Sequence, residues 1–250
     1  MSPNNIKAVL FDFGGTLDSD GIPWKEHFHP FYEKAGILWP KEKFDRSFYA
    51  SDDYLTEKDL KNTSYSETLK MQVDLVLKHG ALNSVIPACP ESSDDFKQRS
   101  RFRTSRNDTN RLVQTITNAF LKDSRKYLKR NLPLIRKLSQ RYKLGIVSNF
   151  YGNLPSIFKE IGYAPYFGAV IDSTRVGYLK PDRRIFDAAL NRLKVKAEEA
   201  VFVGDSPNRD MAGAKNIGMP HIWLDPNNRK PCCKGDRVIK KLTELERILL

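Results

Sequence analysis

The chain contains 250 residues, of which 40% are hydrophobic and 29% charged, and its formal net charge is +12 at pH 7. These proportions are typical of a folded globular protein and exclude a chain that is disordered along its whole length. No segment approaches the roughly 20 consecutive apolar residues of a membrane-spanning helix, so we expect no association with a membrane.

The cysteines and the first residues indicate a compartment. Cys89, Cys232 and Cys233 are odd in number and two of them are adjacent, which argues against a framework of disulfides. Residues 1–5 lead directly into an apolar strand, without the apolar region of a signal peptide. We therefore expect a cytoplasmic protein whose thiols are reduced.

The positive charge has two interpretations. Its densest part is the basic segment 97–106, which contains one aromatic residue, and such a segment could bind nucleic acid. However, no helix-turn-helix, zinc-finger or RNA-binding signature surrounds it, and the other basic residues are interspersed with acids as on solvated helix faces. We therefore expect no nucleic-acid partner. An excess of positive charge favours a small anionic substrate instead.

The first predicted strand ends at a carboxylate. Apolar residues 8–11 precede Asp12, and Gly14 and Gly15 follow it, so the backbone can turn tightly and approach a ligand closely. Open α/β sheets place their chemistry at the ends of strands. Asp12 is therefore the first candidate nucleophile or metal ligand.

The segment 18–129 is polar and aromatic and shows hardly any strand pattern. The spacing of its apolar residues predicts helices at 26–35, at 65–78 and from 108 through 121. Pro30 lies inside the first of these helices and weakens its signal. Prolines, serines and acidic residues predict a loop over 83–95.

After residue 132 the pattern alternates between strands and helices. Short apolar runs predict strands at 144–147, 169–171, 201–203 and 221–224, the last of them in the chain. Helical spacing predicts helices at 155–161, 184–193 and 211–217, and a packing helix over 237–250. This alternation predicts an α/β fold, a Rossmann-like doubly wound parallel sheet with helices on both faces.

The long helical segment separates the first strand from its companions. We predict an α/β core domain formed by residues 1–17 and 130–250, and an inserted α-helical cap domain formed by residues 18–129. A cap at this position could close over a substrate and exclude water.

Polar side chains follow several of the predicted strands or lie in the loops between them. They are Asp12, Ser148, Asn149, Lys180, Asp205 and Asp210. In a parallel sheet these positions lie along one edge, so their side chains could converge on one small site. The acids would repel one another there without a cation, and oxygen ligands of this kind suit Mg²⁺.

Each of these residues also has a structural interpretation when it is taken alone. Ser148 could bond to backbone groups in a turn, and Asp210 could be the N-cap of a helix. Lys180 could be an ordinary surface lysine, and Asp205 could stabilise a turn after glycine. Their occurrence as an ordered set favours a catalytic role.

Four segments together resemble the motifs of the haloacid dehalogenase-like hydrolase superfamily, in the branch whose helical cap is inserted after the first motif. In family order they are Phe11–Leu17 (FDFGGTL), Ile146–Asn149 (IVSN), Gly177–Asp182 (GYLKPD) and Val203–Asp210 (VGDSPNRD). The resemblance covers essentially the whole chain apart from the cap. One such segment arises often by chance, whereas four in order are specific.

The resemblance implies a Mg²⁺-dependent phosphohydrolase that acts on a small phosphorylated metabolite. Asp12 would attack phosphorus and form an aspartyl-phosphate that water then hydrolyses, with Ser148 and Lys180 as its catalytic partners. The ion would be held by Asp12, the Gly14 carbonyl, Asp205 and Asp210. The phosphate would be bound by Gly15, Ser148, Asn149 and Lys180.

Gly14 departs from the pattern of the phosphatases in this family, which place an aspartate there as the general acid and base. A backbone carbonyl survives the change to glycine, but a proton donor does not. Because general acid–base help contributes about 10²–10⁴ in rate, alkyl phosphates should turn over slowly unless another group substitutes. The nearest titratable candidates in sequence are Asp18, Asp20, His27 and His29.

Three further interpretations stay open. Phosphotransfer to an acceptor would suit the same site. A catalytically weak or silent relative could bind a phosphorylated ligand or a protein partner, and a true dehalogenase would also lack the second aspartate. Trp24, His27, Tyr32 and the arginines from Arg99 to Arg106 are candidates for selecting the substrate. We expect a monomer or a homodimer.

Overall fold

A parallel β-sheet forms the centre of the molecule. The computed structural model describes residues 5–82, 106–227 and 237–250. The six strands are β1 Ala8–Phe11, β2 Lys143–Ser148, β3 Phe167–Asp172, β4 Ala200–Gly204, β5 His221–Leu224 and β6 Arg237–Ile239. They are all parallel and have the order β3-β2-β1-β4-β5-β6. This architecture confirms the predicted doubly wound α/β fold.

Helices surround this sheet. They are α1 Trp24–Lys34, α2 Lys41–Thr56, α3 Tyr65–Leu82, α4 Arg106–Arg141, α5 Leu154–Glu160, α6 Ser173–Val176, α7 Arg183–Leu193, α8 Ala212–Asn216 and α9 Leu245–Leu249. None of the helices within the described ranges is both long and apolar enough to cross a membrane.

The strand β1 lies at the middle of the sheet and is buried on both faces. Its residues Val9 and Phe11 pack in one hydrophobic cluster with residues of α4, α5 and α9, while Ala8 and Leu10 pack in a second cluster with residues of α7 and α8. Successive side chains of a strand point to opposite faces, so a short apolar run fills two cores. The sequence therefore shows continuous apolar residues rather than alternation.

The order of the strands determines where ligands can bind. From β1 the chain builds β2 and β3 on one side and β4, β5 and β6 on the other. In doubly wound sheets such a reversal leaves a crevice beyond the carboxyl ends of the central strands. The residues that follow β1, β2 and β4 lie at this crevice.

The segment between β1 and β2 contains α1, α2, α3 and much of α4. Aromatic rings form much of its core, and Phe28 stacks on Phe120 with a centroid separation of 3.8 Å. The helix α4 contacts both α3 and β2, so it joins the inserted helices to the sheet. The boundary proposed at 129/130 falls inside this continuous helix, and the division into two domains stays a prediction.

Two predictions for the carboxyl end were wrong, although residues 221–224 do form a strand, β5. Residues 221–224 do not form the last strand, and residues 237–250 do not form one helix, because Arg237–Ile239 adds β6 to the edge of the sheet. Val238 and Ile239 fit the apolar spacing of a helix as well as that of a strand. The open edge of β5, which the sequence does not show, decides between them.

Sequence patterns also left out the helix α2. Its buried residues include Phe44, Phe48 and Leu55, spaced by four and seven residues, with Ser47 and Ser51 between them. Small buried serines obscured the apolar stripe, although the spacing itself is helical. By contrast, α1 confirms the helix predicted at 26–35 and runs through Pro30.

Some predictions fall outside the described residues. Among them are the loop at 83–95, the basic segment except for its last residue, and Cys89, Cys232 and Cys233.

The carboxylate of Asp172, at the end of β3, holds the loop that follows β2. It is fully buried and accepts hydrogen bonds from the backbone N–H groups of Gly152, Leu154 and Thr174 at 2.9–3.2 Å. A buried N–H group that loses its acceptor costs about 1–3 kcal/mol. This carboxylate therefore stabilises one wall of the crevice.

We expect Asp172→Ala to lower the free energy of unfolding by about 2–5 kcal/mol, because the buried N–H groups of Gly152 and Leu154 and the part-buried N–H of Thr174 lose their acceptor. Urea unfolding measured by circular dichroism checks this value. Asp187→Ala is the control, since its carboxylate makes only a surface ion pair with Arg183, worth about 1 kcal/mol or less. Equal midpoints for the two variants would contradict the role of Asp172.

Candidate active site

Three buried carboxylates converge at the crevice. Asp12 follows β1, Asp205 follows β4, and Asp210 lies in a wide turn at Pro207–Met211. One oxygen from each lies within 4.8 Å of the others. Asp12 is almost two hundred positions from Asp205 and Asp210 in the sequence, and the parallel register of β1 with β4 brings them together.

These carboxylates make a donor set suited to a divalent cation. Hard oxygen ligands in a cluster of this size are those that Mg²⁺ prefers. Apart from their ion pairs with Lys180, Asp12 Oδ1 and Asp210 Oδ1 have no hydrogen-bond partner among the described residues. The group is thus under-neutralised, and Mg²⁺ fits it.

Lys180 supplies positive charge inside the cluster. Its Nζ lies 2.7 Å from Asp12 Oδ1 and 2.7 Å from Asp210 Oδ1, and the residue is 4% exposed. Burial alone would lower the pKa of Lys180, but the charges of Asp12 and Asp210 outweigh it and raise the pKa above its usual value. The lysine is therefore a fixed ammonium.

The pKa of Asp205 reflects its burial and the nearness of the other two acids. Burial, followed by repulsion from Asp210 and Asp12, raises the pKa of Asp205 well above its usual value. Its Oδ1 accepts a hydrogen bond of 3.1 Å from the Thr16 hydroxyl. Without a cation, the ionised form of this residue is destabilised.

Asn149 positions Lys180 through the backbone. Its Oδ1 accepts a hydrogen bond of 2.7 Å from the Lys180 N–H, and its Nδ2 donates to the Lys180 carbonyl at 3.3 Å. The side-chain amide of Asn149 thus ties the end of β2 to the loop before α7. Ser148, which is 2% exposed, lines the same cavity as these residues.

Two glycines permit the close approach of the acids. Gly15 has φ +94°, and a Cβ atom there would lie 2.6 Å from Asp205 Oδ1. A Cβ atom at Gly204 would likewise collide with the Asp210 carboxylate. No larger residue fits at either position, because the carboxylates occupy the space of the side chain.

A cavity of about 250 Å³ opens in front of Asp12. The predicted residues that line it are Asp12, Gly14, Ser148, Asn149, Lys180 and Asp205. Gly15 and Asp210 are not among the lining residues. A larger surface groove of about 990 Å³ near α3 and α4 contains none of these residues, so the carboxylates rather than the volume identify the site.

The inserted helices form the other wall of the cavity. Trp24, Lys25 and Glu26 come from α1, and Phe48, Tyr49 and Asp52 from α2. Of the positions proposed for selecting the substrate, Trp24 lies in this wall, whereas Tyr32 and His27 do not line the cavity. Asp52 and Arg209 are lining residues that sequence patterns did not identify. Asp52 was missed because the sequence patterns did not predict α2. Arg209 lies in the last motif segment, but nothing in the sequence distinguished it from the other basic residues.

Trp24 occupies the space beside Gly14. A Cβ atom at position 14 would lie 2.9 Å from the indole Nε1 and 3.1 Å from Cε2. The indole is held in place, since Nε1 donates to Asp18 Oδ2 at 2.6 Å and the ring packs edge-on against Phe120 and Phe150. A side chain at position 14 would therefore have to displace this ring.

The four titratable residues named as substitutes for a missing acid all have other partners. Asp18 is fully buried and accepts hydrogen bonds from Trp24, Tyr65 and the Gly15 N–H. Asp20 pairs with Arg130 at 2.6 Å, His27 lies 3.0 Å from Asp123, and His29 lies near Glu33. None of the four lines the cavity.

A family model described as a haloacid dehalogenase-like hydrolase matches residues 6–218. The chain belongs to this family. The match includes all four motif segments, and the resemblance found in the sequence is confirmed. The protein is therefore a hydrolase of this family, and the cavity lies among its motif segments.

Relatives with established names match parts of this hydrolase. It is 40% identical over 82 residues to haloacid dehalogenase-like hydrolase domain-containing protein 3 of Bos taurus, covering 33% of the chain and 32% of the relative. It is 39% identical over 95 residues to glyceraldehyde 3-phosphate phosphatase of Methanothermobacter thermautotrophicus (37% and 41%). It is 33% identical over 122 residues to phosphoserine phosphatase of Thermus thermophilus (45% and 47%). The chain spans about a third to a half of the length of these relatives.

Solved structures share the fold over nearly the full chain. The HAD hydrolase YfnB from Bacillus subtilis, bound to magnesium, has a TM-score of 0.55 at 20% identity and covers 98% of each chain. The 2-haloacid dehalogenase from Pseudomonas syringae has a TM-score of 0.52 at 23% identity, also with 98% of each chain. At these identities the likeness shows the fold alone.

We expect Gly14→Asp to lower the free energy of unfolding by about 1–3 kcal/mol, because the new side chain must displace the packed indole of Trp24. Thermal and urea unfolding measure the change. A variant as stable as the wild type would show that the indole yields without cost. Combining it with Trp24→Leu should recover part of the loss caused by the clash.

Asp205→Asn should raise the melting temperature of the metal-free protein, since it removes one of three buried negative charges and keeps the acceptor for Thr16. A carboxyl with a raised pKa destabilises the fold as pH rises from its ordinary value towards the raised one. The gain should therefore be larger at pH 7 than at pH 4. Each 1 kcal/mol would shift the midpoint by about 2–4 °C.

The same scans with added Mg²⁺ test the donor set. The ion should raise the melting temperature of the wild type and have a much smaller effect on Asp205→Asn. Asp187→Asn, outside the site, should respond as the wild type does. A similar Mg²⁺ shift in all three proteins would contradict binding at these carboxylates.

Proposed function

We propose that this hydrolase is a Mg²⁺-dependent phosphatase, which acts on a small phosphorylated metabolite through an aspartyl-phosphate on Asp12. The observation that carries the proposal is the convergence of Asp12, Lys180, Asp205 and Asp210 beside one cavity. Phosphatases among the relatives support the reaction class.

Asp12 is the proposed nucleophile. Asp12 lines the cavity and is 7% exposed. Its backbone continues β1, and its N–H donates a hydrogen bond of 3.0 Å to the Val203 carbonyl of β4. Attack on phosphorus divides the displacement into two easier steps. A rigid strand end fixes the direction of attack.

Lys180 and Ser148 are the proposed phosphate ligands, together with Gly15 and Asn149. An ammonium and a hydroxyl beside the nucleophile would stabilise charge that develops on the phosphoryl oxygens, in a site shielded from water. Asn149 would act mainly by fixing the Lys180 backbone. Gly15 would let the turn pass close to the phosphate and to Asp205.

Mg²⁺ would be held by Asp12, Asp205, Asp210 and the Gly14 carbonyl. When bound, it would screen the anionic nucleophile from the anionic phosphate. The aspartates fit this role because three buried carboxylates carry more charge than Lys180 and the nearby Arg209 balance. Substitution at Gly14 leaves a backbone carbonyl in place, so this ligand does not need an aspartate.

Two other functions remain distinct alternatives. The solved structures that share the fold include a dehalogenase, so the fold does not choose between the two chemistries. The cluster of three acids favours the phosphatase, because these carboxylates could hold a metal ion, which the dehalogenase reaction does not use. A silent relative that only binds a ligand would have the same cavity and no turnover.

Asp12→Asn tests the proposal. With para-nitrophenyl phosphate and Mg²⁺, we expect the wild type to release nitrophenol and the variant to fall to background, because an amide cannot form the acyl-phosphate. Mass spectrometry of acid-quenched wild type should locate one phosphate on Asp12. Asp187→Asn is the control for folding and handling.

Turnover that persists in Asp12→Asn would remove Asp12 as the nucleophile. Release of halide from a haloacid without Mg²⁺ would establish the dehalogenase instead. Mg²⁺ binding without turnover of any phosphate ester would favour the silent relative.

A further inference from the structure

Asp52 is a carboxylic acid of the inserted helices that faces the same cavity as Asp12. It lies on α2, is half-buried, and lines the cavity opposite the end of β1. Its Oδ1 accepts hydrogen bonds from the Tyr151 hydroxyl at 2.5 Å and from Gln72 Nε2 at 2.9 Å. Its Oδ2 accepts none from the described residues, so it is the oxygen available to a bound molecule.

The environment of Asp52 keeps a proton within reach at neutral pH. Burial raises the pKa of Asp52 to about 6, although the hydrogen bonds from Tyr151 and Gln72 and the charge of Arg209 lower it. An acid is most effective when its pKa is close to the working pH. The other charged group that affects the pKa of Asp52 is the exposed Asp53, whose negative charge raises it.

The cavity lacks an acid where the first motif would provide one. Gly14 has no side chain, and the Trp24 indole fills the space in which one would lie. Asp18, which is close in sequence, is sequestered by the Trp24 and Tyr65 hydrogen bonds. The remaining carboxylate of the helical wall is Glu26, whose side chain is 46% exposed and faces Lys25 at 3.7 Å.

We propose that Asp52 is the general acid and base of this enzyme, a role for which Gly14 has no group. The inference rests on the proposed phosphatase function and adds one catalytic residue from the inserted helices. Its consequence is that the two halves of the chemistry come from two parts of the chain. The nucleophile lies on the sheet, and the proton donor lies on α2.

The proton balance of the two steps is complete. In the first, the Asp12 carboxylate bonds to phosphorus, the bond from phosphorus to the ester oxygen breaks, and that oxygen takes the proton of the Asp52 carboxyl. In the second, water attacks phosphorus and gives a proton to the Asp52 carboxylate, while the bond to Asp12 breaks. Phosphate leaves, and both aspartates return to their first state.

Asp52→Asn separates this role from a structural one through the leaving group. An alkoxide needs a proton, whereas a nitrophenolate does not. We expect kcat/KM for ethyl phosphate to fall by about 10²–10⁴-fold and that for para-nitrophenyl phosphate to change only a few-fold. Asp52→Glu should recover part of the ethyl phosphate activity, because it keeps a carboxyl group.

The pH dependence gives a second readout. In the wild type, the ratio of ethyl phosphate to para-nitrophenyl phosphate activity should fall as pH rises through about 6, because Asp52 loses its proton. In Asp52→Asn this ratio should be low and should lack that fall. Ratios cancel the titration of groups that both substrates share, such as the carboxylates around Asp12.

Asp53→Asn is the matched control, since the neighbouring residue on the same helix is exposed, and its ratio should equal that of the wild type. An equal loss for both substrates, with a lower melting temperature, would show that Asp52 only ties α2 to Tyr151 and would overturn the proposal. A selective loss of ethyl phosphate activity in Glu26→Gln instead would also overturn it.

Different outcomes contradict the role of Asp52 and the phosphatase function. Wild-type turnover of para-nitrophenyl phosphate that disappears in Asp12→Asn, with an unchanged activity ratio in Asp52→Asn, would overturn only the role of Asp52. Absence of turnover of both esters by the wild type with Mg²⁺ would overturn the phosphatase function and this role with it.

Discussion

The fold holds several buried negative charges together on one edge of a sheet, and much of the site follows from that electrostatic constraint. Asp12, Asp205 and Asp210 approach within 4.8 Å although like charges in a medium of low dielectric repel strongly. Within the described residues Lys180 is the only buried lysine or arginine, and it contacts two of the three. The negative charge that remains makes these carboxylates a donor set suited to a divalent cation.

The inserted helices provide the part of the cavity that the sheet cannot. The Trp24 indole lies beside Gly14 in the cavity wall, and its Nε1 donates a hydrogen bond to Asp18, which does not line the cavity. The hydrogen bond from Tyr151 to Asp52 links the loop after β2 to α2. Gly14 thus has the ring of Trp24 beside it, and α2 contributes the carboxyl group of Asp52 to the same cavity.

The positions of polar residues at strand ends were predictable, because all strands of a parallel sheet end at the same edge. A short apolar run that stops at a carboxylate, repeated in several αβ units, indicates one edge and one set of polar side chains. Asp12, Ser148 and Asp205 were located in this way and Lys180 in the loop before a helix, and the structure brings all four to one cavity. Their partners within hydrogen-bond distance, such as Asn149 on the Lys180 backbone, needed coordinates.

The sequence by itself determined the α/β class, the place of the helical insertion and the order of the motif segments, because apolar periodicity and turn residues act over short stretches of chain. Only the tertiary structure decided that Arg237–Ile239 pairs with β5, that α2 faces the site, and that Asp52 rather than Asp18 shares a cavity with Asp12. Those outcomes depend on which surfaces meet across long separations in sequence. The spacing of residues along the chain does not show these long-range contacts.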